Sequence, residues 1–192
     1  MEKQRKFGSA GESVTPSRNA AAKADLRRRL KGRDQDRLHL SPGWENPLAQ
    51  WLGGQVGSWG AYCSLPDELP VETLLPKAPH LTWVFPRVIS DEIHFFKQSG
   101  EWVQGRFTSE PSPDGPLVRP EDLAGLLIPA LAIDRRGFRL GRGGGFYDRF
   151  LNSFRGVKIG LVPSWRFLPE VPVDPHDCRV DAVFTEQGLS WL

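Results

Sequence analysis

Apolar positions along this chain come in short blocks with two different periods. Ala22, Leu26 and Leu30 recur at every fourth residue, which predicts a helix over 20–30 with a narrow apolar stripe. Ser17 is its candidate cap. Residues 33–43 read as a loop, and 44–52 as a short helix ended by Gly53 and Gly54. A first strand is expected over 56–63, then a Pro-Asp-Glu turn over 65–70 and a helical turn over 71–75. Residues 81–88 form a strongly β-like run ended by Pro86 and Arg87, and 93–96 a further short strand. The Pro-, Ser- and Asp-rich stretch 107–120 reads as a long loop. After a turn at 121–123, the continuous apolar run 126–133 predicts one strand buried on both faces. Phe146, Tyr147, Phe150, Leu151 and Phe154 fall on one helical face, and 157–162 and 181–185 supply two more strands.

Strands alternating with helices predict an α/β fold. The expectation is a single layered domain over 20–192, with a mostly parallel or mixed central sheet flanked by helices. Residues 1–19 read as a disordered basic tail. In such sheets ligands gather beyond the carboxyl ends of the strands. The glycine-rich stretch after 126–133 and the Pro-Asp-Glu turn both occupy that kind of position.

Composition adds few constraints. Apolar residues make up 39% and charged residues 25%, as in ordinary globular domains. No apolar run approaches the roughly 20 residues of a membrane helix, and the polar N-terminus lacks the apolar core of a secretory signal. The two cysteines, Cys63 and Cys178, have no CxxC partner, so reduced thiols in a cytoplasmic protein are expected. Cys178 follows His176 and Asp177, but near neighbours in sequence do not readily make a nucleophile–base pair. The histidines at 39, 80, 94 and 176 have no zinc-like spacing. Net charge is +2, yet residues 1–37 carry eleven Lys/Arg against five Asp/Glu. That basic head suits nucleic acid or the phosphates of a small ligand, and no RNA- or DNA-binding motif accompanies it. The expectation is no nucleic acid, no membrane and a monomer.

The candidate chemistry centres on residues 141–149, Gly-Arg-Gly-Gly-Gly-Phe-Tyr-Asp-Arg. Consecutive glycines expose the backbone and admit positive φ, which can turn successive N–H groups toward one point. A helix starting there adds unpaired N–H groups and its positive dipole end. Arg139 and Arg142 stand beside it. The pattern points to an anion site for nucleotide phosphates, against the plainer alternative of a flexible loop. It is neither a P-loop nor a dinucleotide fingerprint, because Phe146 occupies the third glycine position. Lys23 and Arg27 stand one helical turn apart. Like charges at that spacing cost a few tenths of a kcal/mol unless an anion lies between them, and a solvated basic face is the alternative.

Residues 126–151, reading LLIPALAIDRRGFRLGRGGGFYDRFL, resemble the signature of the 5-formyltetrahydrofolate cyclo-ligase (methenyltetrahydrofolate synthetase) family. The resemblance extends to Lys23-x-x-x-Arg27, to 65–69, to 85–88, to Glu110-Pro111, and to the Val171-Pro172-Val173, His176-Asp177 and Asp181-Ala182-Val183 string. It implies an enzyme using ATP and Mg²⁺ to close 5-formyltetrahydrofolate to 5,10-methenyltetrahydrofolate. Lys23 and Arg27 are implied to touch ATP phosphates. Arg139, Leu140, Gly141, Arg142, Gly143, Gly144, Gly145, Phe146 and Tyr147 are implied to wrap the triphosphate, with Arg139 and Arg142 neutralising its charge. The resemblance assigns catalytic roles to Glu68, Arg142 and Tyr147, folate contacts to Cys63, Glu68 and Tyr147, and magnesium to Asp148 and Asp177. The segment between Lys23 and Glu68 is short and Trp- and Gly-rich for the family, and Phe146 stands where a Tyr is common. The alternative is a diverged nucleotide-binding relative acting on another substrate.

Overall fold

In the computed structural model, residues 18–31, 38, 40–99, 101–106, 108–112 and 114–192 are described. The tail over 1–17, the Ser17 cap and His39 lie outside them. Helix α1 (Arg18–Lys31) begins two residues before the expected domain boundary at 20, so Asn19 is part of it and donates to the Val173 carbonyl at 2.8 Å. Its last turn carries Arg28, Arg29 and Lys31, which suits the negative end of the helix dipole. Leu26 and Leu30 are buried against Leu131, Ala132, Leu140 and Val171. Packing that stripe leaves Lys23 and Arg27 toward the interior of the molecule.

Among the described residues the main sheet has eight strands. They are β1 (Ser58–Gly60), β2 (Thr82–Ile89), β3 (Glu92–Lys97), β6 (Leu117–Val118), β7 (Leu123–Pro129), β10 (Val157–Leu161), β12 (Ala182–Thr185) and β13 (Gly188–Trp191). Their order is β13-β12-β10-β7-β1-β2-β3-β6. The five strands from β12 to β2 run parallel, and antiparallel β13, β3 and β6 complete the two edges. The sheet is therefore mixed with a parallel centre, as expected. Successive residues of β7 alternate between faces. Leu127 joins Leu48, Leu52 and Trp59 on the side of helix α2 (Asn46–Leu52). Leu126 and Ile128 join Leu151 and Phe154 on the side of helix α3 (Phe146–Leu151).

Several elements differ from the sequence expectation. The apolar run 126–133 is not one strand. β7 ends at Pro129, and the chain crosses into a second, three-stranded sheet made of β8 (Ala132–Asp134), β9 (Arg139–Leu140) and β11 (Phe167–Leu168). Proline lacks the N–H needed to continue a central ladder, and a fully apolar run carries no periodicity to reveal the break. The stretch 107–120 is not all loop: it holds β5 (Ser109–Glu110), paired with β4 (Val103–Gln104), and β6. Strands of two residues are too short to show a period. β2 continues through Pro86 to Ile89, because β1 pairs only as far as Val84 and Pro86 faces no ladder bond on that side. The first strand shrinks to three residues. α3 covers six residues and leaves Phe154 beyond its end.

Asp134 shapes the turn between β8 and β9. It is fully buried; its Oδ1 accepts from the backbone N–H groups of Arg136 and Phe138 at 2.9 and 3.0 Å, and its Oδ2 from Val171 at 3.1 Å. This hairpin delivers the glycine stretch to its place. Asp134→Ala strands those donors and lowers the unfolding free energy by about 3 kcal/mol, read from urea unfolding.

Candidate active site

The parallel strands reverse their direction of succession between β1 and β7, since β2 lies on one side of that pair and β10 on the other. Chain ends diverge at such a point and open a crevice. A cleft of about 450 Å³ lies there. Tyr62 and Cys63 follow β1 into it, Pro129 and Ala130 close β7 against it, and the 139–148 segment forms its wall. Lys23, Arg27, Cys63, Glu68, Arg139 to Asp148 and Asp177 all line it. The residues singled out from sequence therefore meet in one place, although they come from four separate stretches of chain.

The glycine stretch needs its glycines. Gly143 and Gly145 have φ of +112° and +66°, a region costly for residues with a Cβ. Gly141 and Gly144 present carbonyls to arginines, with Arg27 Nε donating to the first at 2.9 Å and Arg149 to the second at 3.1 Å. Arg27 thus lies against the loop. α3 contributes little dipole field, being under two turns long.

The charged side chains are paired with one another. Lys23 is buried and donates to Asp174 Oδ2 at 2.7 Å and to Asp177 Oδ2. Burial works against its charge, but the two carboxylates outweigh it and hold its pKa above the ordinary lysine value. Asp174, His176 and Asp177 offer ligand atoms within 4.8 Å of one another, and Asp148 stands outside that group. Asp148 Oδ1 instead lies 2.8 Å from the nearly inaccessible guanidinium of Arg139. That contact is an ion pair without hydrogen-bond geometry, so Asp148 Oδ1 and Arg139 Nη2 are buried with no hydrogen bond. Arg139 also lies over the Tyr147 ring, 5.4 Å from its centroid.

Arg142 does not reach toward the glycines. Its Nε and Nη2 donate to Glu68 Oε1 at 3.2 and 3.1 Å, and Nη2 to Asp67 Oδ1 at 2.6 Å. Expected to neutralise phosphate, Arg139 and Arg142 are each engaged by carboxylates, because buried guanidinium and carboxylate groups compensate each other. Glu68 Oε2 accepts from the Leu65 N–H at 3.1 Å. Burial nevertheless pushes the Glu68 carboxyl above the ordinary glutamate value, against the opposing pull of that bond and of Arg142. Burial also raises the Tyr147 phenol, and it pushes the Cys63 thiol up to about 11. Cys63 is thus a neutral wall group. Cys178 lies 3.2 Å from Asn152 Oδ1, and its pKa too is raised by burial, unlike an activated nucleophile.

The sequence reading missed Arg166, Asp67, Asp174 and the packing of Tyr62. Asp67 and Asp174 stand inside strings already singled out, beside Glu68 and three residues before Asp177. Arg166 carries no sequence signal, since an arginine after Trp165 reads as a surface residue.

A glycine loop, an ammonium and paired guanidinium and carboxylate groups thus gather in a cleft at the switch point of the parallel strands of an α/β protein. Residues 97–186 match the model of the 5-formyltetrahydrofolate cyclo-ligase family. A 5-formyltetrahydrofolate cyclo-ligase of Mycolicibacterium smegmatis is 47% identical over 62 residues, covering 31% of this chain and 32% of that protein. The stretch matched is thus about a third of that relative's length. The structure of 5,10-methenyltetrahydrofolate synthetase from Aquifex aeolicus superposes with a TM-score of 0.73 at 27% identity, over 88% of this chain and 92% of that one. A Mycoplasma pneumoniae 5,10-methenyltetrahydrofolate synthetase shares the fold, with TM-score 0.71 at 23% identity, over 85% and 98%. Over the matched residues this chain is similar to the 5-formyltetrahydrofolate cyclo-ligases, the family that residues 126–151 resemble.

Proposed function

We propose that this chain is an ATP- and Mg²⁺-dependent 5-formyltetrahydrofolate cyclo-ligase. One observation carries the reading: the phosphate-side residues Lys23, Arg27 and 141–145 line the same cleft as the folate-side residues Cys63, Glu68 and Tyr147. A two-substrate reaction needs that proximity. The formyl oxygen is a poor leaving group, and phosphorylation makes it a good one, after which N10 attacks the activated carbon and phosphate departs. Lys23, Arg27 and the backbone N–H groups of 141–146 hold the phosphates, while Tyr147 and Cys63 wall the folate. Glu68 accepts hydrogen bonds from the pterin or orients N10.

The carboxylates suit a hard cation. Asp148 Oδ1 has no hydrogen bond of its own, and both Asp148 and Asp177 face the cleft. Asp148 and Asp177 would hold magnesium, which when bound offsets the negative charge of the phosphates.

The test is a spectrophotometric assay with 5-formyltetrahydrofolate and MgATP, following methenyltetrahydrofolate. Product that requires both ATP and magnesium supports the reading. A folded protein that binds ATP and forms no product rejects it in favour of a nucleotide-binding relative with another substrate. Gly143→Ala puts a Cβ on a backbone at φ +112°. Left-handed backbone costs an L-residue about 1–2 kcal/mol, a strain absent from the unfolded chain, so the unfolding free energy falls by about that amount in urea unfolding.

A further inference from the structure

The contact between Arg142 and Glu68 continues into the core. Asp67, whose Oδ1 accepts from Arg142, gives its Oδ2 to Arg166 Nη2 at 3.1 Å. Arg166 Nη1 donates to the Asp67 main-chain carbonyl at 3.0 Å, and the guanidinium lies 4.6 Å over the Trp165 ring. Two guanidiniums and two carboxylates thus alternate from core to cleft. Arg166 is fully buried, the Asp67 and Glu68 side chains are 17% and 7% exposed, and the Arg142 side chain is 35% exposed. Arg142 is the exposed, cleft-side end of a chain whose buried end is Arg166. The four residues come from three segments: the turn after β1, the glycine stretch after β9, and the single 3₁₀ turn Ser164–Arg166 after β10.

We propose that Arg166 is a positioning residue that sets how firmly Arg142 is held, and hence how readily Arg142 turns from Asp67 to an anionic phosphate in the cleft. A largely buried carboxylate needs a cation beside it. Arg166 supplies that cation permanently, so Asp67 stays compensated when Arg142 leaves. Without Arg166, Arg142 is the only guanidinium on Asp67, and its departure strands a buried charge. Removing Arg166 therefore immobilises Arg142 and weakens phosphate capture from a position outside the cleft. This inference rests on the reading of the cleft as an ATP site.

The experiment is MgATP calorimetry on the full chain, with urea unfolding as a control for folding. Arg166→Met weakens MgATP binding by about tenfold, the scale of a charged hydrogen bond retained in the wrong place. Asp67→Asn releases Arg142 and binds MgATP at least as tightly as wild type. Arg166→Met/Asp67→Asn, in which the trapping charge is gone, recovers wild-type affinity to within about threefold, a non-additive rescue that lost packing would not produce. Weaker binding by Asp67→Asn, or a double variant no better than Arg166→Met, overturns the inference. If Arg166→Met does not fold, Asp67→Asn alone decides it. Wild type that binds no MgATP overturns both this inference and the ATP reading. Wild type that binds MgATP without forming methenyltetrahydrofolate overturns only the assigned reaction and leaves the affinity comparison in force.

Discussion

Asp148→Asn lowers turnover of 5-formyltetrahydrofolate by on the order of 100-fold, while the protein still unfolds cooperatively. The asparagine keeps the shape of the side chain and removes the charge that a hard cation needs. A titration of turnover against magnesium checks it: the variant needs more metal for half-maximal rate, and near wild-type turnover would refute the role. Alanine is the poorer variant. Asp148 lies 2.8 Å from the guanidinium of Arg139, whose side chain is almost wholly inaccessible. Deleting the carboxylate and its packing together leaves that cation uncompensated, at a cost of roughly 3 kcal/mol in folding. Both variants remove the charge beside Arg139, but asparagine keeps the packing and an oxygen near the guanidinium, so it disturbs the fold less than alanine, and urea unfolding measures the remaining structural cost.

Glu68→Gln raises the KM for 5-formyltetrahydrofolate by at least about tenfold and leaves the Kd for MgATP no weaker than wild type. The carboxylate is one of the two that hold Arg142, so its neutralisation loosens Arg142 rather than trapping it. Equal losses on the folate and ATP sides would count against a folate-side role. The same residue sets a pH signature. Burial raises the Glu68 carboxyl above its ordinary value of 4.5, so the group keeps its proton to higher pH than it would in the unfolded chain. Its ionised form accepts hydrogen bonds at both oxygens and is the stronger acceptor. Turnover therefore rises with pH along a limb centred above 4.5, and Glu68→Gln removes that limb. A wild-type profile whose acid limb centres below 4.5 would rule out Glu68 as its source.

The local signals that proved readable were those with a period or a rare composition. The stripe of Leu26 and Leu30 and the spacing of Lys23 and Arg27 belong to one helix, and residues 23, 26, 27 and 30 follow the i, i+3, i+4, i+7 pattern, so helix geometry puts all four on the one face turned toward the interior. The glycines of 143–145 marked a backbone that side chains would block, and positive φ at Gly143 and Gly145 is the reason they stand there. Runs without period misled. Residues 126–133 are apolar throughout, and a run of that kind does not reveal that Pro129 ends one sheet and that β8 enters another. The short strands within 107–120 owe their existence to partners such as β3 and β4, not to their own residues.

What the sequence determined by itself was the α/β class with a mostly parallel or mixed sheet and the glycine stretch, because periodicity and glycine are local properties, and its family resemblance pointed to many of the side chains that line the cleft. What only the tertiary structure decided was which of those charges meet. Lys23 lies against Asp174 and Asp177, more than 150 residues away along the chain, and Arg142 against Asp67 and Glu68, more than 70 away. Arg166 joins them from a turn with no distinguishing sequence. Ion pairing depends on distance in space and on exclusion of water, and both are set by how β1, β7 and β10 bring their ends together.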